Sequence, residues 1–234
     1  LIPILMKNYK LSFFYLFTLL IIACSEEDPV IEYVIVTETV TETNTDEVDP
    51  FADSTLEGNI TEDKTLDASK IWLIKGRVSV TDGTTLTIPA GTIIKAASGT
   101  GADASTLIVA RGGKMIANGT ADNPIIMTAA ADNIEVGGTY PESGPALNVD
   151  TRGLWGGLLI LGRAPCSFKS DVTELQIEGI PTSDTNGLYG GSVADDNSGS
   201  FQYISIRHGG AEIGEGNEIN GLTLGGVGSG TTVN

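Results

Sequence analysis

Two neighbouring carboxylates, Asp195 and Asp196, are the first residues in this sequence that could do chemistry. A pair of carboxyl groups can divide general acid and general base work when the groups lie about 6.5 to 9.5 Å apart. Arg207 and His208 follow twelve residues after Asp195 and could add a positive charge and a proton-transfer group. Adjacent residues of a strand point to opposite faces, so the two carboxylates converge only within a bent turn. The candidate catalytic residues are therefore Asp195, Asp196, Arg207 and His208.

The same segment has two other interpretations. Asp195, Asp196 and Asn197 offer the oxygen ligands that Ca²⁺ takes, and they are the candidate calcium ligands. In "DDNSG" the Asp and Asn side chains can instead bond their own backbone, as they do in turns. His208 is the only histidine, which excludes a multi-histidine metal site, and the Cys/His spacing of zinc sites is missing. The residues favour the turn, and catalysis and calcium binding remain open alternatives.

Short apolar strands separated by glycine turns must position these residues. Residues 78–95 and 107–128 repeat one order of strand, glycine turn, short strand, "AGT" or "NGT" and a further strand, and aligning Gly91 with Gly119 gives a shift of 28. A repeat of about 20 to 50 residues indicates a solenoid or a similar array. A propeller needs blades of four antiparallel strands, whereas three short strands per repeat suit the coils of a parallel β-helix. The sequence therefore predicts an all-β fold, a right-handed parallel β-helix.

The repeat also predicts which residues fill the solenoid. The expected strands are 77–81, 86–88, 107–110, 115–117 and 124–128. The side chains expected to point inward and to stack between coils about 4.8 Å apart are Val78, Val80, Leu86 and Ile88. Gly91 and Gly119 are expected in turns that need a positive φ. Residues 58–234 would form roughly six to eight coils, with loops at 98–105 and 130–153 interrupting the period.

The first 57 residues have a different composition. Lys7 and Lys10 precede an apolar run that ends in "IIAC", which is typical of a secretory signal, with Met6 as its expected start. The run is shorter than the ~20 apolar residues of a membrane span. Residues 25–57 then carry eleven acidic residues and no Lys or Arg, and like charges keep such a segment extended. The sequence predicts a signal peptide over 1–23 and an acidic tether over 24–57.

Cys24, which lies between these two segments, indicates where in the cell the protein is located. "IIAC" resembles a bacterial lipobox, and the resemblance implies that Cys24 is acylated and becomes the N-terminus after cleavage. Several acyl chains give stable anchoring, because each buried CH₂ adds about 0.8 kcal/mol. The following "SEED" resembles the acidic export signals of surface lipoproteins of the Bacteroidota, which implies an outer-membrane lipoprotein exposed at the cell surface. The alternatives are an uncleaved anchor helix and a solvated acidic linker.

Five motifs share a further resemblance. A family of secreted and surface lipoproteins, mostly of Bacteroidota and built on right-handed parallel β-helices, is resembled by the set "RGGKMIANGTADNPIIMTAA", "RGLWGGLLILGRAP", "QIEGIP", "DDNSGSFQYISIRHGG" and "GNEINGLTLGGVGSGTTV". The resemblance runs from about residue 73 to the end and implies fold and location, since no biochemical activity is established for that family. Such proteins continue where "GSGTTVN" stops, so residues 58–234 are expected to be a β-helix domain truncated at its C-terminus.

The net charge and the absence of certain motifs limit the classes of function that the sequence allows. The net charge is −17, of which −8 belongs to residues 58–234, and the basic footprint of a nucleic-acid-binding protein is absent. Cys166 is the only other cysteine, so with Cys24 lipidated no disulfide can form within the chain. The Asn-Thr-Asp and Arg-Ile-Lys signatures of β-helix hydrolases are absent from residues 58–234. The sequence favours a non-enzymatic envelope lipoprotein that binds glycans or other envelope proteins or has a structural role; the alternative is a polysaccharide lyase or hydrolase. No cofactor is expected, and Ca²⁺ at Asp195, Asp196 and Asn197 is the alternative.

Overall fold

A computed structural model describes residues 49–138, 147–214, 217–218 and 220–234. The predicted signal peptide, Cys24 and most of the predicted tether lie outside the described residues. The described chain forms these strands: β1 (Thr55–Ile60), β2 (Lys64–Thr65), β3 (Ile71–Val80), β4 (Thr85–Ile88), β5 (Ile93–Ala96), β6 (Thr106–Val109), β7 (Lys114–Asn118), β8 (Ile125–Ala129), β9 (Gly157–Leu161), β10 (Glu174–Gln176), β11 (Leu188–Gly190), β12 (Gly199–Gln202), β13 (Ile204–Ile206), β14 (Glu212–Gly214), β15 (Asn217–Glu218), β16 (Leu222–Gly225) and β17 (Thr232–Val233). Two short 3-10 segments lie at Gly101–Asp103 and Thr185–Gly187. None of the described residues forms a helix long and apolar enough to cross a membrane.

Parallel pairing arranges these strands as three sheets. Sheet 1 contains the first half of β3 with β5, β8 and β13. Sheet 2 contains the second half of β3 with β6, β9 and β16, and β1 extends both sheets. Sheet 3 contains β2, β4, β7, β12 and β17. The chain passes from sheet 1 to sheet 2 to sheet 3 and back, which confirms the predicted parallel β-helix.

The described residues form five coils. Coil 1 is β1 and β2, coil 2 is β3 and β4, coil 3 is β5 to β7, coil 4 is β8, β9 and β12, and coil 5 is β13, β16 and β17. Roughly six to eight coils were expected after an allowance for loops, and that expectation is wrong for the described chain. The difference arises because segment 162–198 and the described parts of 130–138, 147–156, 207–214, 217–218 and 220–221 leave the coils at their corners. The first strand begins at Thr55, three residues before the predicted domain boundary.

Single glycines make the first corners between sheets 1 and 2. β1 bends at Gly58, with φ +67°, and β3 bends at Gly76, with φ +63°. A residue with a Cβ atom is destabilised by roughly 1–2 kcal/mol in this left-handed region. Glycine has no Cβ, so it lets one strand turn from one sheet into the next without a loop.

The strand register corrects the repeat inferred from the turns. Val78 pairs with Leu107 and Leu86 pairs with Met115, a shift of 29 residues rather than 28. Aligning turns misses the register because the turns differ in length, and an error of one residue reverses the faces of a strand. The prediction of which side chains point inward in the first repeat is nevertheless confirmed, because the four predicted inward side chains are at most 1% exposed.

Only one of the two predicted turn glycines has a positive φ. Gly91 has φ +79° as predicted, but Gly119 does not adopt the left-handed region. A Cβ on Gly119 would lie 2.6 Å from the carbonyl oxygen of Tyr203. Gly119 therefore allows the corners of coils 3 and 4 to approach closely, and the predicted reason for it is wrong.

Segment 130–138 covers the outer side of sheet 1. Its Ile134 packs on Ile93 and Ile126, which point outward and are buried. Lys95 is also buried there, and its Nζ donates to the backbone carbonyl of Asp132 at 2.6 Å. Burial lowers the pKa of the Lys95 ammonium, and the carboxylates of Asp132 and Glu135 offset that effect only in part.

Segment 162–198, which we call the clasp, covers the outer side of sheet 2. Its Ile180 belongs to a buried cluster on the outward residues Ile108, Leu159 and Leu161. The clasp contains the β10–β11 hairpin and the free, half-buried thiol of Cys166. It reaches back along the solenoid through four pairs: Glu174 with Arg111 of coil 3, Asp184 with Arg77 and Arg163 with Asp82 of coil 2, and Asn186 with Asn59 of coil 1.

Candidate functional site

Asp195, Asp196 and Asn197 lie in a tight turn at the end of the clasp, directly before β12. The backbone N–H of Asp196 donates to the carbonyl of Val193 at 3.1 Å. Asp196 is buried, and its Oδ2 accepts from the Ser198 hydroxyl at 3.3 Å. The Asn197 Oδ1 accepts from the N–H of Gly199 at 2.9 Å, and Asp195 is exposed. This is the geometry of an Asx turn.

The glycine-rich segment "GGVGSG" is the partner of that turn. The N–H of Gly230 donates to the carbonyl of Asp196 at 3.2 Å. A Cβ on Gly228 would clash with the Asp196 backbone, and one on Gly230 would lie 2.6 Å from the Asp195 carbonyl. These glycines therefore let coil 5 pack against the turn. Among the described residues, no group of three or more His, Cys, Asp or Glu side chains could hold a metal ion.

Arg207 and His208 lie at another corner, where β13 ends and the chain leaves sheet 1. The buried indole of Trp155 donates from Nε1 to the Arg207 carbonyl at 2.7 Å. The N–H of Leu154 donates to the His208 carbonyl at 3.0 Å. His208 has φ +57°, a strained conformation that costs on the order of 1–3 kcal/mol and persists only where its surroundings hold it. The Trp155 and Leu154 contacts supply that support.

The His208 ring has a defined tautomer at neutral charge. Its Nδ1 lies 2.7 Å from the backbone carbonyl oxygen of Thr151. A carbonyl oxygen only accepts, so Nδ1 carries the proton and the lone pair is on Nε2. His208 can therefore accept a hydrogen bond from a ligand through Nε2.

The two groups of predicted candidates do not share a groove. The N–H of Gly210, close after His208, donates to the carbonyl of Gly156, directly before β9. At the other end of β9, a Cβ on Gly162 would lie 2.6 Å from Oδ2 of Asp196. A strand rises about 3.3 Å per residue, so these six residues separate the groups by about 20 Å. That distance is too long for Asp196 and His208 to act on one bond.

A cleft of about 410 Å³ lies beside His208, and sequence reasoning missed two charged residues there. Asp150 and Arg152 line it together with Ile206 and the histidine. Its volume is within the range of about 300 to 1,000 Å³ typical of small-molecule sites. Asp150 and Arg152 belong to the predicted loop 130–153. Its length marked it as a loop of a kind that is often functional or disordered, but no spacing related these two residues to His208.

The outer side of sheet 3 has a different surface from those of sheets 1 and 2. Its outward side chains, which we call the open face, are all exposed or half-buried: Thr65, Thr85, Thr87, Lys114, Ile116, Asn118, Ser200, Gln202 and Thr232. Register places Thr87, Ile116, Ser200 and Thr232 in one row across adjacent coils. The Ser200 hydroxyl donates to the Asn118 Oδ1 at 2.7 Å. The open face is therefore a surface mainly of hydroxyl and amide groups that solvent reaches, with Lys114 and Ile116 among them.

The family assignment agrees with this architecture. The family model described as a pectate-lyase-like β-helix domain matches residues 58–234, about three quarters of the chain. The chain belongs to the pectate-lyase-like β-helix family. No curated protein and no solved structure matches the chain. Membership in the pectate-lyase-like β-helix family supports the fold, while lipidation of Cys24, an origin in the Bacteroidota and exposure at the cell surface stay predictions.

Proposed function

We propose that this member of the pectate-lyase-like β-helix family is a non-enzymatic binding protein of the bacterial cell envelope. In this proposal Cys24 is lipidated and anchors the protein in the outer membrane, and the acidic tether holds the β-helix at the cell surface. The open face is the contact surface for glycans or other envelope proteins.

The exposure of the open face carries the proposal. In coils 3 and 4, described segments bury outward residues of sheets 1 and 2, such as Ile126 and Leu159, whereas the outward residues of sheet 3 stay accessible and are mainly polar. A rigid row of donors and acceptors is suited to recognition, because its groups are fixed before a partner arrives. The separation of Asp196 from His208 supports a role without catalysis at those residues.

A charge placed on the open face tests the proposal. The wild-type chain is expected to bind outer-membrane vesicles, peptidoglycan sacculi or a soluble polysaccharide from a defined panel, and Thr87→Arg is expected to weaken that binding. Val172→Arg is the matched control, because Val172 is exposed on the clasp. Equal binding by the wild type and Thr87→Arg would refute the open face as the contact surface.

The anchor has a separate test. Labelled palmitate is expected to enter the full chain in a suitable bacterial host, and Cys24→Ala is expected to abolish the labelling. Label that survives the substitution would contradict lipidation at Cys24, while leaving the assignment of the open face intact.

The cleft beside His208 favours one alternative, a polysaccharide-active enzyme. Asp150 and an imidazole with its lone pair on Nε2 line the same cleft, and such groups can move protons. Turnover of a polysaccharide that is lost in His208→Asn would support this alternative over the binding proposal. Asn tolerates the left-handed conformation better than most residues, so the variant should keep its fold.

A further inference from the structure

Tyr203 alone makes the corner between β12 and β13. It has φ +49°, and its N–H and carbonyl both bond to the backbone, to Asn234 and Ile125. The other one-residue bends of the solenoid use Gly58 and Gly76. A tyrosine in the left-handed backbone conformation destabilises the fold by roughly 1–2 kcal/mol relative to a glycine in the same conformation. The corner itself therefore gives no reason for an aromatic residue.

The ring contributes little to the core. Tyr203 is 55% exposed, and within the described chain no hydrogen bond of its hydroxyl is found. Buried tyrosines normally pack their ring and pair their hydroxyl. An exposed ring on a strained backbone points to a role outside the fold, because strain of this kind concentrates at functional sites.

Tyr203 follows the open face directly. The preceding residue, Gln202, points outward, and its Nε2 donates to the Ser200 hydroxyl at 3.4 Å. Ser200 in turn donates to Asn118 on the neighbouring coil. Amide and hydroxyl groups can both donate and accept, so the rim beside Tyr203 offers uncharged hydrogen-bonding groups next to an aromatic surface.

We propose that this rim binds an uncharged glycan chain, with the Tyr203 ring stacked on a sugar and Asn118, Ser200 and Gln202 bonded to sugar hydroxyls. The inference rests on the proposed function and names its partner. A sugar ring presents an apolar C–H face and a rim of hydroxyls, which matches an amphipathic tyrosine beside amides. Five strands spaced about 4.8 Å apart make a surface about 19 Å long, enough for an extended oligosaccharide.

Charge selects against acidic glycans. Residues 58–234 carry −8 and the segment before them carries eleven acidic residues. Lys114 is the one cation among the open-face residues. Screening over about 8 Å at physiological salt weakens the repulsion of a polyanion but does not reverse it.

The test uses the full chain in affinity electrophoresis through gels that contain xylan, glucomannan, laminarin, polygalacturonate or alginate. We expect retardation by at least one of the three neutral polysaccharides and by neither acidic one. Tyr203→Gly should weaken neutral binding about tenfold or more, Tyr203→Phe should keep most of it, and Ser200→Ala should reduce it. Val172→Ala, on the exposed clasp, is the control.

The glycine variant separates binding from folding. Glycine adopts φ +49° freely, so Tyr203→Gly should unfold at the same temperature as wild type or higher. Tyr203→Asn, which also tolerates this conformation, provides a second variant should the first fail to fold. Equal neutral binding by wild type and both variants would overturn the inference, as would retention by acidic polysaccharides alone.

The outcomes also distinguish this inference from the proposed function. If no neutral polysaccharide binds but Thr87→Arg weakens binding to vesicles or sacculi, the glycan inference is wrong and the open face remains the contact surface. If Thr87→Arg, Ser200→Ala and Tyr203→Gly all leave glycan binding unchanged, the glycan inference and the assignment of the open face as the contact surface are both wrong.

Discussion

The outer side of sheet 2 should stabilise the protein as strongly as the core does. Leu158 and Leu159 are neighbours on β9 and point to opposite sides, Leu158 into the solenoid and Leu159 under the clasp; they are 1% and 0% exposed. Truncating a fully buried leucine to alanine costs about 2–5 kcal/mol, including the cavity left behind. We therefore expect Leu158→Ala and Leu159→Ala each to lower the free energy of unfolding by about 3 kcal/mol.

Urea unfolding followed by circular dichroism measures this effect. A loss of about 3 kcal/mol lowers the melting temperature by roughly 6–12 °C for a domain of this size, and the slope of the urea transition should stay unchanged. Val172→Ala, on the exposed surface of the clasp, should stay within about 0.5 kcal/mol. A cost below about 1 kcal/mol for Leu159→Ala, beside a full cost for Leu158→Ala, would show that the clasp does not bury sheet 2 in solution.

Three further predictions use single residues. Gly199→Ala would clash with the Met115 carbonyl at a φ of +119° and should lower the urea midpoint far more than Gly83→Ala, which meets open space and should lose only about 1 kcal/mol; similar midpoints would contradict the close packing of coils 3 and 4. Burial lowers the pKa of Lys95 below 10.5, so between the folded pKa and 10.5 the unfolded chain binds more protons than the folded chain. The free energy of unfolding of wild type relative to Lys95→Met should therefore rise with pH across that window. A difference in melting temperature that does not change with pH would refute this prediction. Nitrogen-15 NMR of the single imidazole should show the Nδ1–H tautomer of His208 at neutral charge, and the Nε2–H tautomer would be incompatible with its contact to a backbone carbonyl.

Periodicity predicted the coil and its inward side chains because inward packing repeats along the chain. Val78 and Leu86 alternate with outward residues in a pattern that requires no knowledge of distant segments. The number of coils could not be predicted in the same way, because the loops recognised in the sequence were 98–105 and 130–153, and the clasp, which has no period, was not among them. The shift of 28 failed for a related reason: Gly91 and Gly119 are similar in sequence but have different backbone conformations and contacts.

The sequence did contain a signal for the open face. The sheet 1 and sheet 2 strands "IIKA", "TLIV" and "GLLIL" are apolar at almost every position. The sheet 3 strands "TLTI" and "GSFQ" have polar residues at their outward positions, as does "KMIAN" except at Ile116. Continuous apolar strands are buried on both sides, and alternating strands have one solvated side. By contrast, the cleft beside His208 depends on where a long loop returns, and the left-handed conformation of Tyr203 follows from a corner with no spare residue. Neither the cleft nor the conformation of Tyr203 can be predicted from local sequence patterns.

The clasp has a mechanical consequence for a protein pulled by one end. Stacked parallel coils would peel one at a time under tension. Paired positions of sheet 1 are 18 to 33 residues apart for coils 1 to 3, so each of these coils would release about 60 to 115 Å of chain. Asn186 and Asp184 of the clasp hold coils 1 and 2 directly to a segment that leaves coil 4. Tension on the first coil is therefore shared with the middle of the solenoid, and force spectroscopy should record one large rupture for coils 1 to 4 in place of a ladder of single-coil steps.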